Sequence, residues 1–235
     1  MISASTSTPR GAKTVAEAAF DIDVVMARVE EAVEEFPKAA LFELAERGFA
    51  TPFEQAVACI ISIRTRDEVT VEVAPRLFAE APNPQAMAEL GVQEIEALIV
   101  DSAFHEQKAG WLSDLASTLV ADDAADMPCD GEALQAFSGI GPKCAALVLS
   151  IACDRPSVAV DVHVHRITNR WGYVSTKRPE QTMAALEEKL PRQYWVDVNR
   201  LLIPFGKHIC TGRRPRCSAC PVSTMCRRVG VSNSR

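Results

Sequence analysis

Apolar residues return every three or four positions along most of this chain, with charged residues between them. That is the period of helices that bury one face. The pattern predicts helices at Val24–Phe36, Gln55–Ser62, Asp67–Phe78, Asn83–Leu90, Val92–Val100, His105–Leu119, Leu134–Phe137, Lys143–Cys153, Arg178–Leu190 and Trp195–Phe205. Thr51-Pro-Phe-Glu supplies a start signal for the second of these: a capping hydroxyl, proline at the first helical position, then an acid. One segment breaks the pattern. Ser157-Val-Ala-Val-Asp-Val-His-Val-His alternates apolar and polar residues, which reads as a strand. A lone strand has nothing to pair with in a helical chain. The segment is therefore expected to be an extended connection running into a helix, with Asp161 near that helix's start, where aspartate caps well.

The chain has 235 residues, 48% of them hydrophobic, enough for one large domain or two small ones. No apolar run approaches the roughly 18 residues needed to span a membrane. The first residues, MISASTSTPRGAKTV, lack the apolar stretch of a secretory signal. They are rich in Ser and Thr and free of acids, a faint likeness to a transit peptide, and residues 1–19 are expected to form a disordered tail. Without an export signal the compartment is expected to be reducing and disulfides disfavoured. The net charge of −6 conceals segregation. Gly206 to Arg235 holds seven Lys and Arg and no acid, whereas Glu17 to Glu46 holds nine acids against two bases. A local basic face matters more for polyanion binding than the total does, although a solvated basic tail would have the same composition.

Four of the eight cysteines crowd into the C-terminal segment: Cys210, Cys217, Cys220 and Cys226, spaced C-x6-C-x2-C-x5-C. The first gap is too long for common zinc fingers, and the set differs from ferredoxin spacings. Thiolate-only ligation suits an iron–sulfur cluster or zinc. Cys59, Cys129, Cys144 and Cys153 are scattered, three of them in apolar helical stretches, and read as inert core residues.

A second constellation lies upstream. Leu134-Gln-Ala-Phe-Ser-Gly-Ile-Gly-Pro-Lys-Cys-Ala-Ala places Gly139 and Gly141 around one apolar residue before a helix. The glycines permit a tight turn and close approach, and the turn's N–H groups with the following helix N-terminus make an anion site for a phosphate. Lys143 stands in the first turn of that helix, at the positive end of the dipole. This disfavours the ammonium and favours the nucleophilic amine; a solvated lysine touching phosphate fits the position equally well. His163 and His165 lack a third metal ligand nearby.

Together these residues resemble the endonuclease III family of helix-hairpin-helix DNA glycosylases, from about residue 20 to residue 230. The cysteine spacing is that family's 4Fe-4S loop. Phe137-Ser-Gly-Ile-Gly-Pro-Lys is similar to its hairpin with the catalytic lysine, and Val160-Asp-Val-His-Val-His-Arg to its catalytic-aspartate segment. Thr51-Pro-Phe-Glu and Leu90-Gly-Val align as well. The resemblance implies an all-α, two-domain fold with a deep interdomain cleft and a C-terminal iron–sulfur loop. Residues 46–155 would be a six-helix bundle carrying the hairpin. Residues 20–45 with 156–228 would be the cluster domain, and 229–235 a tail. It implies a bifunctional DNA glycosylase/AP lyase that excises oxidised pyrimidines from duplex DNA. Lys143 would be the nucleophile and Asp161 the charge-stabilising partner. A 4Fe-4S cluster would sit on Cys210, Cys217, Cys220 and Cys226, with zinc as the alternative. Partners would be double-stranded DNA with damaged bases or abasic sites, and no membrane. The chain would be a monomer, cytoplasmic, nucleoid-associated if bacterial, and not secreted.

DNA contacts are expected from Gly139, Gly141, Arg64, Phe104, His163, Arg166, Arg213, Arg214 and Arg216, with Lys207, Arg227 and Arg228 extending the basic face. Arg64 stands where the family usually has a gap-filling glutamine, and Phe104 where it has a leucine wedge. Ser138 and Cys144 replace a proline and a threonine of the hairpin. These departures put substrate range in question more than reaction type. The sister adenine-mismatch glycosylase needs a carboxylate in the helix containing Val57-Ala-Cys-Ile-Ile-Ser, which has none. A non-catalytic or weakly catalytic damage-binding module of the same fold is the alternative reading.

Overall fold

Thr51 caps its helix as the sequence predicts: its hydroxyl accepts from Glu54 N at 3.2 Å, and the Glu54 carboxylate accepts from Thr51 N at 3.0 Å. In the computed structural model, which describes residues 19–124 and 126–235, twelve α-helices and two short 3₁₀ turns account for the regular structure, with no strand among the described residues. The expected N-terminal tail lies outside the described residues apart from Ala19. The helices are α1 (Ile22–Val33), α2 (Ala40–Glu46), α3 (Pro52–Ser62), α4 (Asp67–Glu80), α5 (Pro84–Glu89), α6 (Val92–Leu98), α7 (His105–Ala121), α8 (Gly131–Gln135), α9 (Pro142–Ala152), α10 (Val162–Trp171), α11 (Pro179–Lys189) and α12 (Asp197–His208). No described helix is long and apolar enough to cross a membrane.

Helix α2 is absent from the sequence expectation. It is seven residues long and its N-terminus has no side-chain cap, so little marks it locally. Its apolar residues Ala40, Leu41, Phe42 and Leu44 are nevertheless buried, and packing stabilises a segment that is too short to be helical alone.

Buried apolar residues form two clusters. One is built from α2 to α9 and runs from Ala39 to Ala159, joined by Ile203 of α12. The other gathers α1 with α10, α11 and α12, and reaches Val222 and Met225. The extended connection Ser157–Asp161 passes between them. Val158 and Val160 are buried in the second cluster and Ala159 in the first. The alternation that mimics a strand thus serves two cores, one on each face of a single extended segment. Residues 229–235 are not a free tail: Val229 N donates to Arg170 O, Arg235 N to Pro215 O, and Ser218 N to Arg235 O.

The scattered cysteines correct another expectation. Cys59 of α3 is bonded to Cys144 of α9, and Cys129 to Cys153, with Cα separations of 6.0 and 5.7 Å. Such proximity across 85 residues of chain depends on how α3 packs against α9, which spacing alone does not reveal. The four C-terminal cysteines take part in no disulfide.

Candidate active site and cysteine-lined cavity

The hairpin joins α8 to α9. Gly139 has φ +84°, and a Cβ there would lie 2.7 Å from Trp111 Cε3 of α7, so both conformation and space demand glycine. Ile140 is buried beneath the turn. Gly141 caps α9, Pro142 takes the first helical position and Lys143 the next, which leaves the lysine half-buried at the helix entrance. The disulfide between Cys59 and Cys144 ties α3 to α9 one residue from Lys143.

Asp161 caps α10. Its Oδ1 accepts from His163 N and Val164 N, each at 2.9 Å, which leaves Oδ2 out of the cap. A cavity of about 760 Å³ is bordered by both Lys143 and Asp161, and by Arg64, Asp67, His163, Asn199 and Lys207. Two helix N-termini, those of α9 and α10, therefore open on one space bounded by residues of both cores. An amine and a carboxylate there can attack an electron-poor carbon and stabilise a developing cation.

His163 packs against Gly206, where a Cβ would approach its Nδ1 to 2.4 Å. Burial holds its pKa below the usual histidine value, and Arg166 and Lys207 oppose the raising effect of Asp161. The neutral ring accepts at Nδ1 from Arg166 Nη2 at 3.1 Å. Arg166 also donates to Gly206 O and Cys210 O, both at 3.0 Å, so its guanidinium links α10, α12 and the cysteine segment. Lys207, grouped with the basic face by sequence, instead turns into the cleft and pairs with Asp67 Oδ2 at 2.6 Å. Arg213, Arg214, Arg216, Arg227 and Arg228 are all exposed on the C-terminal segment, and Arg216 and Arg228 also border the cysteine-lined cavity.

Arg64 and Phe104 both have left-handed backbones, φ 54° and 58°, which is uncommon for residues of their size. Phe104 is 62% exposed and precedes α7. Sequence reasoning missed Lys108, Asn199 and Asp67. Lys108 carried a signal: it shares a helical stripe with Leu112, Leu115 and Leu119, an unexpected place for a cation.

Cys210, Cys217, Cys220 and Cys226 border a single cavity. Arg170 Nη1 lies 3.5 Å from Cys210 Sγ, and Arg228 N donates to Cys226 Sγ at 3.4 Å. Burial pushes the Cys220 thiol up to about 11, and the neighbouring thiols add to the shift; burial raises Cys226 too. The four thiols line one common space. Four soft donors around one cavity fit an iron–sulfur centre or zinc.

The profile of the HhH-GPD superfamily base excision DNA repair proteins matches residues 57–192. Endonuclease III of Thermotoga maritima is 35% identical over 175 residues, covering 74% of this chain and 82% of that protein. The chain belongs to the endonuclease III family. Endonuclease III of Escherichia coli (strain K12) is 32% identical over 181 residues, 77% of this chain and 86% of its own length. A solved endonuclease III from a trapped covalent complex with DNA superposes with a TM-score of 0.77 at 24% identity, covering 88% of this chain and 94% of that one. The architecture is the helix-hairpin-helix glycosylase fold of the endonuclease III family, and the chain is a base excision repair enzyme, a DNA glycosylase with AP lyase activity.

Proposed function

We propose that this enzyme excises oxidised pyrimidines from duplex DNA with Lys143 as nucleophile and Asp161 as its carboxylate partner. The observation that carries the reading is the cavity bordered by both residues, each at the N-terminal end of its helix. The damaged nucleotide leaves the stack and enters this space. Lys143 Nζ attacks C1′, and the C1′–N bond breaks with its electron pair going to the departing base. The Asp161 carboxylate stabilises the positive charge that develops on the sugar and takes the proton lost from the attacking amine. Ring opening gives a Schiff base that acidifies the C2′ proton. Loss of that proton expels the 3′ phosphate and nicks the strand. A similar solved chain was trapped as a covalent DNA intermediate, which supports a nucleophile on the protein.

Gly139 and Gly141 present backbone N–H groups to a phosphate. Arg64 fills the gap left by the flipped nucleotide, and Phe104 wedges between bases. His163 and Arg166 back the catalytic aspartate, while Arg213, Arg214 and Arg216 meet the backbone. The first core with its hairpin and the second core with the cysteine segment form the two domains, with DNA across the cleft, and the enzyme acts as a monomer. Cys210, Cys217, Cys220 and Cys226 hold a 4Fe-4S cluster. The C-x6-C-x2-C-x5-C spacing supports a cluster over a single zinc. The cluster supplies a rigid cross-link to the segment that carries the arginines; the reaction needs no redox step.

Borohydride trapping on a duplex carrying one oxidised thymine tests the proposal. A covalent adduct that disappears in Lys143→Gln is the expected result. Adduct formation that persists in that variant would overturn the assignment of the nucleophile.

A further inference from the structure

Lys108 is completely buried and plays no part in the chemistry above. Its Nζ donates to Ile61 O at 2.7 Å and to Thr65 Oγ1 at 2.9 Å. Thr65 Oγ1 in turn accepts from Ala103 N at 3.1 Å. No hydrogen-bonded carboxylate accompanies this cation among the described residues. It faces the C-terminal turn of α3, whose carbonyls carry the negative end of the helix dipole. Burial lowers its pKa to about 8.

The location gives this arrangement a consequence. Arg64 and Phe104, both left-handed, flank the knot: Thr65 follows Arg64 in the chain, and Ala103 precedes Phe104. Lys108 N also donates to Phe104 O at 3.1 Å, which starts α7 from the strained residue. One turn further along the same face, Trp111 packs beneath Gly139 of the hairpin. Positions 104, 108 and 111 share one side of a helix. A single face of α7 therefore supports the wedge, the gap-filling loop and the phosphate-binding turn.

We propose that Lys108 is a positioning residue that locks the Arg64 loop and the Phe104 loop into one preformed unit, so that the two side chains enter the duplex together. Left-handed conformations at bulky residues persist only when surrounding contacts hold them. Here the contacts are the lysine, the Thr65 hydroxyl and the Ala103 amide. Without them each loop relaxes separately, and binding must order both at once. The inference rests on the assignment of Arg64 and Phe104 as inserting residues.

The test uses the full chain and two substrates. A single-stranded abasic oligonucleotide needs no insertion, whereas a duplex with one oxidised thymine does. Borohydride trapping is measured on both, and 2-aminopurine opposite the lesion reports insertion by its fluorescence. Lys108→Met, close in shape, should retain trapping on the single strand. It should weaken duplex binding about tenfold or more and abolish the fluorescence change. Thr65→Val should act in the same direction, and the double variant should be no worse than Lys108→Met alone. Equal losses on both substrates, or an unchanged duplex response, overturn the proposal. If Lys108→Met does not fold, Thr65→Val decides by the same two criteria. An unaltered chain that traps on neither substrate overturns the catalytic reading itself, and one that traps on both without a fluorescence change overturns only the insertion role.

Discussion

Lys207 Nζ of α12 lies 2.6 Å from Asp67 Oδ2 at the start of α4, and the pair joins elements 140 residues apart beside the cavity that holds Lys143 and Asp161. Both side chains are mostly shielded from solvent, and Asp67 also lies in the first turn of α4, where the dipole favours a carboxylate. A double-mutant cycle with Lys207→Met and Asp67→Asn should yield a coupling of about 1 kcal/mol by urea denaturation. The coupling should persist at high salt, because shielded pairs are poorly screened. A coupling that vanishes with salt would mark the contact as a surface pair.

Asp161 caps α10 and is the proposed catalytic carboxylate, two duties that substitution can separate. Asparagine caps helices as well as aspartate does, so Asp161→Asn should stay within about 1 kcal/mol of the unaltered stability. Its base excision rate should fall about 100-fold, because the amide cannot take a proton or stabilise a cation. Asp161→Ala should lose the same activity and about 1 kcal/mol more stability, the bonds from His163 N and Val164 N being gone. Single-turnover kinetics and thermal melts on both variants check this.

Gly139→Ala should destabilise by about 1–3 kcal/mol, because alanine is strained at φ +84° and its Cβ meets Trp111. Gly141→Ala meets no neighbouring atom within 4 Å and should melt close to the unaltered chain. Equal melting temperatures for the two variants would remove the steric argument.

Lys108 predicts a pH dependence of stability. Its pKa is about 8 in the folded chain against 10.5 as the ordinary value. The unfolded state therefore binds more protons between these values, and stability from this group rises as pH increases through that window. The difference in unfolding free energy between the unaltered chain and Lys108→Met should shift in favour of the unaltered chain between pH 8 and pH 10. A difference that stays flat would show that the burial does not perturb this lysine.

Much of the helical order was legible because each long helix carries its own amphipathic stripe and several carry start signals, as at Thr51 and Asn83. The missed α2 has seven residues and no capping side chain, and only contact with the first core makes it helical. The segment Ser157–Asp161 shows a different limit. Its alternation was visible, but period 2 states only that the chain is extended with two distinct faces. That both faces are buried, one in each core, depends on packing from elements such as α1, α3 and α12 that lie far away in sequence.

The candidate site divides in the same way. Lys143, Asp161, the two hairpin glycines and the four cysteines of the C-terminal segment stand in local motifs, where spacing along the chain already carries the chemistry. The sequence by itself determined the helical class, the family, the candidate nucleophile and the thiol set, because each rests on residues close together in the chain. Tertiary structure alone decided that Cys59 meets Cys144, that Lys207 turns from the basic face to Asp67, and that Lys108 ties together the loops of Arg64 and Phe104. These are contacts between residues 38 to 140 positions apart. Local propensity carries no term for them, since they exist only once two cores have packed and brought distant side chains within hydrogen-bonding reach.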